Sequence, residues 1–299
     1  MQNCTICNFN LKKINEFVFK CEKCLFLCSN LKPGYGREIE GINTLRKENF
    51  IELIKVIKYS NISKKLKILE IGSGNGYFIE ECIKNKIDIT GSEVEKKDCE
   101  NLKKKFPHIL QIKLPIENLS HNKFDKFNFI IFNDVFEHLE NLDLVINQLD
   151  LYLENNGKIL INLPSSDGII FKFSNFLRRI GIKSFYNRLW QKDLSSPHLS
   201  YFNNSNLKLL FKKHGYNSIY SNSLNTVTKT GNFKRLNSTI KNIVLCHILN
   251  FIIIVFFFLQ KIFPRDIIFH IFEKKKNKSK IIFDKLINDL RYFFHNFFS

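Results

Sequence analysis

The chain contains no alanine, one methionine and one tryptophan among its 299 residues. Lysine, asparagine, isoleucine and phenylalanine are abundant instead, and these four share codons rich in A and T. Base composition therefore accounts for part of the lysine excess, so the formal net charge of +18 is weak evidence for RNA as a partner. The lysines are scattered singly or in pairs, as on a solvated surface, and only the block 274–280 is concentrated. This distribution argues against nucleic acid as a partner. The basic block itself indicates contact with an anionic surface.

The sequence also lacks an apolar N-terminal segment of the kind that a secretory signal requires. Cys4 and Cys7 stand where the apolar core of such a signal would be, so we expect a cytoplasmic location. Eight cysteines in a reducing compartment favour metal ligation over disulfides. The length fits one large domain with an attachment.

Two C-x₂-C pairs, separated by 13 residues, predict a zinc-ribbon-like module at 1–32. Four thiolates from two tight turns can close tetrahedrally around Zn²⁺, and such a site has no open position for catalysis. A redox pair, or cysteines without a shared ligand, is the alternative. A module of about 30 residues cannot bury enough core unaided, so we expect it to need the metal to fold. We also expect cofactor binding to survive loss of the metal. The predicted ligands are Cys4, Cys7, Cys21 and Cys24.

A glycine turn follows the first β-like run of the larger part of the chain. The run 66–71 leads into Gly72, Gly74 and Gly76, and a helical segment follows at 77–85. In a strand–turn–helix unit, backbone N–H groups and the helix N-terminus face a ligand at the carboxyl end of the strand. Glycine keeps Cβ atoms out of the way and allows positive φ. A plain connection is the alternative.

Three further β-like runs, at 87–91, 127–132 and 158–163, alternate with helical segments. This alternation predicts a parallel sheet wound by right-handed crossovers, with ligands at the carboxyl ends of the strands. Glu93 follows the second run, roughly 20 residues after the glycines, where an acidic side chain accepts hydrogen bonds from a ribose. A solvated glutamate is the alternative. A turn is expected at 154–157, before the last of these runs.

The order and spacing of these segments resemble class I S-adenosylmethionine-dependent methyltransferases over about residues 45–230. The similarity is closest to ubiquinone-pathway O-methyltransferases and sugar-tailoring enzymes, and also uses the segments 134–139 and 198–202. It implies an α/β fold with a Rossmann-like seven-stranded sheet, helices on both faces and a last strand within 266–299. It also implies S-adenosylmethionine as the cofactor. The implied cofactor-binding residues are Glu70 and Asn133 and Asp134 at the methionine end, Gly72, Gly74 and Gly76 at the turn, Glu93 at the ribose and Ile116 at the adenine.

His138 and His198 are the candidate catalytic residues, because transfer to a hydroxyl requires removal of its proton. His138 directly follows the third run, and His198 stands in a loop expected to return over the cleft. A structural role is the alternative for both. The aromatic and basic segment 169–195 predicts a lid-like insertion whose arginines suit a phosphate or nucleotide sugar. A cover helix with solvated arginines is the alternative there.

The segment 231–265 predicts a hydrophobic helical insertion before the last strand. Residues 243–263 are nearly all apolar, but His247, Asn250 and Gln260 interrupt them, so no uninterrupted stretch is long enough to span a bilayer. We expect a helical hairpin in a membrane interface or packed on the domain, with a spanning helix or a homodimer contact as alternatives. With the block 274–280 and the aromatic tail, this predicts peripheral contact with the cytoplasmic face of a membrane.

The combination of a zinc ribbon with this domain resembles sugar-modifying enzymes, which implies a methyltransferase acting on a small molecule, by O-methylation of a sugar or nucleotide-linked sugar in surface polysaccharide biosynthesis. An RNA methyltransferase is an alternative, because zinc ribbons also precede such domains in rRNA-modifying enzymes. Against it, Asn133-Asp134-Val135-Phe136 stands where base-methylating enzymes carry Asn/Asp-Pro-Pro-Tyr. A quinone or lipid methyltransferase is a further alternative. The intact glycines and Glu93 argue against a non-enzymatic scaffold.

Overall fold

The computed structural model of the protein describes residues 3–34, 43–60, 66–112, 126–237 and 240–275. Ile116 and the tail from 276 to 299 lie outside the described residues. The strands are β1 (Leu11–Lys13), β2 (Val18–Cys21), β3 (Leu27–Ser29), β4 (Lys67–Ile71), β5 (Asp88–Ser92), β6 (Gln111–Ile112), β7 (Phe127–Asn133), β8 (Leu153–Pro164), β9 (Ser200–Tyr201), β10 (Tyr216–Leu224) and β11 (Ile267–Lys274). The helices are α1 (Asn43–Ser60), α2 (Tyr77–Lys84), α3 (Lys96–Lys105), α4 (Leu142–Tyr152), α5 (Ile169–Arg179), α6 (Ser184–Leu189), α7 (Asn204–Lys213), α8 (Asn232–Asn237) and α9 (Ile243–Leu259).

Seven strands form the central sheet, in the order β10-β11-β8-β7-β4-β5-β6. The strands from β4 to β8 pair in parallel, and β11 lies antiparallel between β8 and β10. The predicted Rossmann-like seven-stranded fold is therefore confirmed. Because β4 lies between β5 and β7, the strand order reverses at β4, and ligands bind at such a switch point in open α/β sheets.

The central strands are apolar on both faces because helices cover both sides of the sheet. On one face, α1, α2 and α3 pack against alternate residues of the strands. On the other face, α4 and α7 cover the intervening residues. The side chains facing α1 to α3 include Ile68, Phe129, Ile131 and Leu160, and those facing α4 and α7 include Leu69, Ile130, Phe132 and Ile161. The continuous apolar runs of the sequence follow from this double coverage.

The turn predicted at 154–157 is wrong, because these residues lie within β8. Phe127 of β7 pairs with Leu153, whereas Phe129 pairs with Lys158, so the intervening residues of β8 bulge out between two paired positions. The Asn-Gly pair had favoured a turn from local preference alone. Pairing of Leu153 and Lys158 with β7, on either side of these residues, keeps them within the strand.

The cysteine-rich module packs directly on the methyltransferase-like part of the chain. β1, β2 and β3 form a second sheet that β9 completes, with Leu27 opposite Tyr201. Phe17 contacts the ring of Trp190 at a centroid distance of 6.1 Å. Phe26 contacts Phe202 at 5.2 Å. The two parts thus share a core through β9 and α6, a union that the sequence did not predict.

A buried histidine in β11 makes the stability of this fold depend on pH. His270 Nε2 lies 2.8 Å from Asn204 Oδ1, and its Nδ1 lies 3.1 Å from Ser218 Oγ. Burial lowers the pKa of His270 from 6.5 to about 3. The unfolded chain therefore binds a proton that the folded chain does not, and folded stability falls as the pH drops below 6.5.

We expect a change from pH 7 to pH 5 to lower the free energy of unfolding of the wild type by about 2 kcal/mol more than that of His270→Gln. Glutamine cannot be protonated but can still donate to Asn204. Urea unfolding of both proteins at the two pH values measures the difference. An identical pH dependence in the two proteins would contradict a neutral His270.

Candidate active site

The glycine turn joins β4 to α2 at the switch point of the sheet. Gly72, Gly74 and Gly76 all have positive φ, at 71°, 49° and 75°. The Gly72 N–H donates to Ser92 O at 2.8 Å, which ties the turn to the end of β5. The Gly74 N–H donates to Glu93 Oε2 at 2.9 Å. The turn therefore links β4 and β5 at their carboxyl ends, the edge at which the sequence placed the glycines and Glu93.

Two of these glycines are also required by the packing of the chain itself. A Cβ added at Gly72 would lie 2.6 Å from Val135 Cγ2, and one added at Gly76 would lie 2.4 Å from Phe106 Cε2. Real Cβ atoms do not approach other carbons so closely. The expectation that glycine serves the approach of a ligand thus applies most directly to Gly74.

A row of buried polar side chains crosses the ends of β4, β7 and β8. Asn133 Nδ2 donates to Glu70 Oε1 at 3.0 Å, and Asn162 Nδ2 lies 3.4 Å from Asn133 Oδ1. Glu70 is 2% exposed and Asn162 is 3% exposed. Burying such groups in an apolar sheet is costly unless they are hydrogen-bonded, and the row holds the Glu70 carboxylate in one orientation. Sequence reasoning missed Asn162, although an asparagine inside the apolar run 158–163 was a visible signal.

Arg46 reaches from α1 over this edge of the sheet. Its Nε lies 3.3 Å from Asp134 Oδ2, and both side chains are mostly buried. Asp134 has a φ of +52°, and its N–H donates to Asn162 O at 2.9 Å. Arg46 and Phe50 line two small cavities, one beside Asn162 and the other beside Glu70 and Asn133, and we call these two cavities the cleft. Nothing in the sequence singled out Arg46, because its position depends on how α1 packs.

Glu93 lies directly after β5, beside the glycine turn. Its carboxylate accepts from the Gly74 N–H at 2.9 Å and from the Val94 N–H at 2.8 Å. Burial raises the pKa of Glu93, while these backbone donors oppose the rise. The side chain is thus held beside the glycine turn, where the sequence placed a ribose.

Two buried polar groups near Glu93 have no hydrogen-bond partner within the described part of the chain. They are the Ser73 hydroxyl and the Gln111 amide. A Cβ added at Gly91 would lie 2.9 Å from Ser73 Oγ and 2.2 Å from Gln111 Oε1, so both groups adjoin the end of β5. Buried polar groups normally have partners, so this pair fits a polar ligand beside the glycine turn. Sequence reasoning missed both residues.

Glu137 and His138, which follow β7, form a buried acid–imidazole cluster with His198 from the loop before β9. The Glu137 Oε1 lies 3.9 Å from His138 Nε2 and 4.0 Å from His198 Nε2. The two imidazole rings are 4.7 Å apart. Burial, and to a lesser extent the nearby Asp134 carboxylate, raises the pKa of Glu137 well above its ordinary value. The ligand atoms lie within 4.8 Å of one another, so the cluster could share a proton or a cation.

His138 is the most exposed member of the cluster. Its side chain is 16% exposed, against 7% for His198. His138 Nδ1 lies 2.9 Å from Pro197 O, and a carbonyl can only accept, so Nδ1 carries the proton. Burial lowers the pKa values of both His138 and His198. The Nε2 atom of a neutral His138 is therefore free to accept a proton.

The four cysteines of the N-terminal module come together as the sequence predicted. Cys4 Sγ lies 3.5 Å from Cys24 Sγ, and Cys7 Sγ lies 3.4 Å from Cys21 Sγ. All four sulfurs lie within 4.8 Å of one another. Tetrahedral Zn–S bonds place sulfurs on the order of 3.8 Å apart, so this set fits Zn²⁺ with no position left for a substrate.

Comparison with known proteins agrees with this architecture. Residues 44–221, more than half of the chain, match the family model described as a methyltransferase domain. The ubiquinone biosynthesis O-methyltransferase of Pelagibacter ubique (strain HTCC1062) is 26% identical over 161 residues, which cover 52% of this chain and 65% of that protein. The enzyme of the same name from Rickettsia typhi (strain ATCC VR-144 / Wilmington) is 30% identical over 135 residues, which cover 44% and 53%. The chain thus spans less than two thirds of the length of these curated relatives.

Solved structures give the same fold. The crystal structure of a SAM-dependent methyltransferase from Archaeoglobus fulgidus matches with a TM-score of 0.50 and 15% identity, covering 78% of this chain and 94% of that one. At this identity the match supports the fold alone. The resemblance to class I S-adenosylmethionine-dependent methyltransferases predicted from the sequence is therefore confirmed, and the chain belongs to the methyltransferase-domain family.

Proposed function

We propose that this protein transfers a methyl group from S-adenosylmethionine to a hydroxyl of a small molecule, in the cytoplasm. The observation that carries the proposal is the buried row Glu70–Asn133–Asn162 at the switch point, next to the glycine turn. When bound, S-adenosylmethionine supplies an electrophilic methyl group on its sulfonium. Glu70 would hold the methionine ammonium, since Asn133 already orients its carboxylate. Glu93 would accept from the ribose hydroxyls, and Ser73 and Gln111 fit polar groups of the nucleoside.

On the acceptor side, we propose that His138 Nε2 takes the proton of the reacting hydroxyl. Its Nδ1 is held by Pro197 O, which fixes the ring and the tautomer. His198, whose ring packs 4.7 Å from that of His138, and the buried Glu137 would position the His138 ring. The alternative chemistry is a cation shared by the same cluster, and metal analysis of the wild type and of His138→Gln separates the two.

Replacing His138 by glutamine is expected to slow methyl transfer by about 10² to 10⁴ while changing cofactor affinity less than about twofold. Burial lowers the pKa of His138, so wild-type transfer should decline only below the ordinary value of about 6.5. His214→Gln is the matched control, because His214 is similarly buried but pairs with Asp143 away from the cleft. Rates are measured as label transferred from methyl-labelled S-adenosylmethionine, and bound metal is counted in both proteins. An unchanged rate in His138→Gln would contradict its role as proton acceptor. A second metal ion per chain in the wild type that is lost in His138→Gln would assign the cluster to a cation.

We further propose that the acceptor is a sugar or nucleotide-linked sugar of surface polysaccharide assembly. Support comes from the segment 169–195, where Arg179 and Arg188 are exposed and available to a phosphate. Arg178 is engaged elsewhere, because it donates to Asn175 Oδ1 and lies over the Tyr186 ring. A quinone acceptor is the second candidate, favoured by the names of the curated relatives. Incubation with extracted nucleotide sugars or with a hydroxylated quinol separates the two, since only one should take up label.

We also propose that the four-cysteine cluster binds a structural Zn²⁺. The donor set of four sulfurs from two turns supports this assignment. Metal analysis of purified protein is expected to give one zinc per chain. The absence of zinc after purification without chelator would contradict it.

A further inference from the structure

The helix α9 presents a broad apolar surface to solvent. Of its 17 residues, only Cys246 is buried. Contiguous apolar surface of this extent marks an interaction site in most proteins. Six apolar side chains are more than half exposed: Ile243, Val244, Ile248, Phe251, Ile252 and Phe258.

The helix is capped at its start and joined to the domain at its end. The Asn242 side chain accepts from the Leu245 N–H at 3.1 Å and caps the first turn. Gln260, which is 2% exposed, accepts from the Thr226 N–H at 2.9 Å and donates to Val227 O at 3.2 Å. The apolar surface is therefore displayed by a fixed element.

The charges of the segment that carries this surface all have one sign. The sequence contains no Asp or Glu between Asp193 and Asp266. Lys241 and Lys261 flank the helix in the sequence and are exposed, and so is Lys229 before α8. An apolar helix in a segment whose charges are all cationic fits an anionic lipid surface. A second copy of the chain would bring the same positive charge against it.

We propose that α9 lies in the interfacial region of an anionic membrane, with its exposed apolar side chains among the acyl chains. A helix of 17 residues is about 25 Å long, which suits lying in the surface plane. None of the helices in the part of the chain that the structure describes is long and apolar enough to cross a bilayer.

This docking would bring the membrane to the cleft. The Asn49 side chain donates to Asn225 O at 3.0 Å, which joins α1 to the start of the α8–α9 segment. A Cβ added at Gly231 would lie 3.0 Å from Thr44 Oγ1, so the segment also contacts the first turn of α1. Arg46 of that turn borders the cleft. If the proposed function holds, as this inference requires, the acceptor is one carried by a lipid anchor at the membrane surface.

The test is flotation of the purified full chain with vesicles of phosphatidylcholine alone or mixed equally with phosphatidylglycerol. Binding is expected to the anionic vesicles only, and to weaken as salt rises. Ile252→Asp should reduce binding at least about tenfold. Leu110→Asp is the matched control, because Leu110 is 54% exposed and Ile252 is 53% exposed, and both changes remove one unit of positive net charge.

Failure to bind anionic vesicles at low and moderate salt would overturn the proposal. So would equal losses in Ile252→Asp and Leu110→Asp. Sedimentation that shows a dimer, converted to a monomer by Ile252→Asp, would assign the surface to a second copy of the chain instead. S-adenosylmethionine binding is measured on the same preparations and should be unchanged in both variants, which separates failure of docking from failure of the proposed function.

Discussion

Replacing Gly74 by leucine is expected to weaken S-adenosylmethionine binding by at least about 100-fold, or about 3 kcal/mol. The Gly74 N–H donates to Glu93 Oε2 at 2.9 Å. A displaced turn would therefore also displace Glu93, the residue proposed to bind the ribose. Its φ of +49° strains a leucine backbone, and the added side chain would occupy the approach to the cleft. Calorimetric titration of the purified variant measures the loss.

A second glycine with positive φ provides a control for the effect of backbone strain alone. Gly215 has a φ of +81°, and a Cβ there would meet nothing within 4 Å. It precedes β10 at the opposite edge of the sheet from the cleft. Gly215→Leu should lose comparable thermal stability and keep cofactor affinity. Tight binding that survives in Gly74→Leu would show that the cofactor site is elsewhere.

Removal of zinc from the cysteine cluster is expected to slow methyl transfer far more than it weakens cofactor binding. The Ser29 N–H donates to Leu199 O, and Ser29 Oγ donates to His198 O, both at 2.9 Å. β3 therefore supports the segment that carries His198, whereas Glu70 lies on β4 and Glu93 directly follows β5. Structural zinc contributes about 10–16 kcal/mol in small zinc-finger peptides, so its loss should release β1 to β3. We expect at least about a tenfold loss of transfer rate, with cofactor affinity within about threefold.

The protein carries its own reporter for this release. Trp190 is the only tryptophan of the chain, is fully buried, and contacts Phe17 of the module. Chelation or Cys4→Ser should shift its fluorescence to that of an exposed indole. Cys28→Ser is the matched control, because Cys28 lies on β3 outside the cluster. Equal loss of cofactor affinity and transfer rate would contradict the conclusion that β3 supports the His198 segment but not the cofactor-binding residues. No change in either quantity would contradict a structural metal.

The parts of the site that could be predicted from the sequence are those fixed by a single strand and the turn after it. Glu70 lies near the end of an apolar run, and Gly74 and Glu93 follow such runs, so their place at the carboxyl edge followed from topology alone. Arg46 could not be predicted, because its contact with Asp134 depends on the packing of α1 over the sheet. Contacts between segments that lie far apart in the sequence could not be predicted either.

The union of the cysteine module with the larger domain illustrates that limit. Leu27 pairs with Tyr201 across more than 170 residues, through a strand of only two residues. No local sequence pattern predicts a strand of this length. β10 was missed for a different reason, since it is a mostly exposed edge strand of polar residues and carries little hydrophobic signal.

The most direct test of the account is to incubate the protein with methyl-labelled S-adenosylmethionine and an extract of the cells that encode it. Products are separated into nucleic acid, solvent-extractable lipid and small soluble molecules. We predict label in the lipid or soluble pool, and none with Glu93→Ala, because Glu93 would hold the ribose of the cofactor. Nuclease-sensitive label in RNA, or label that persists unchanged in Glu93→Ala, would contradict it.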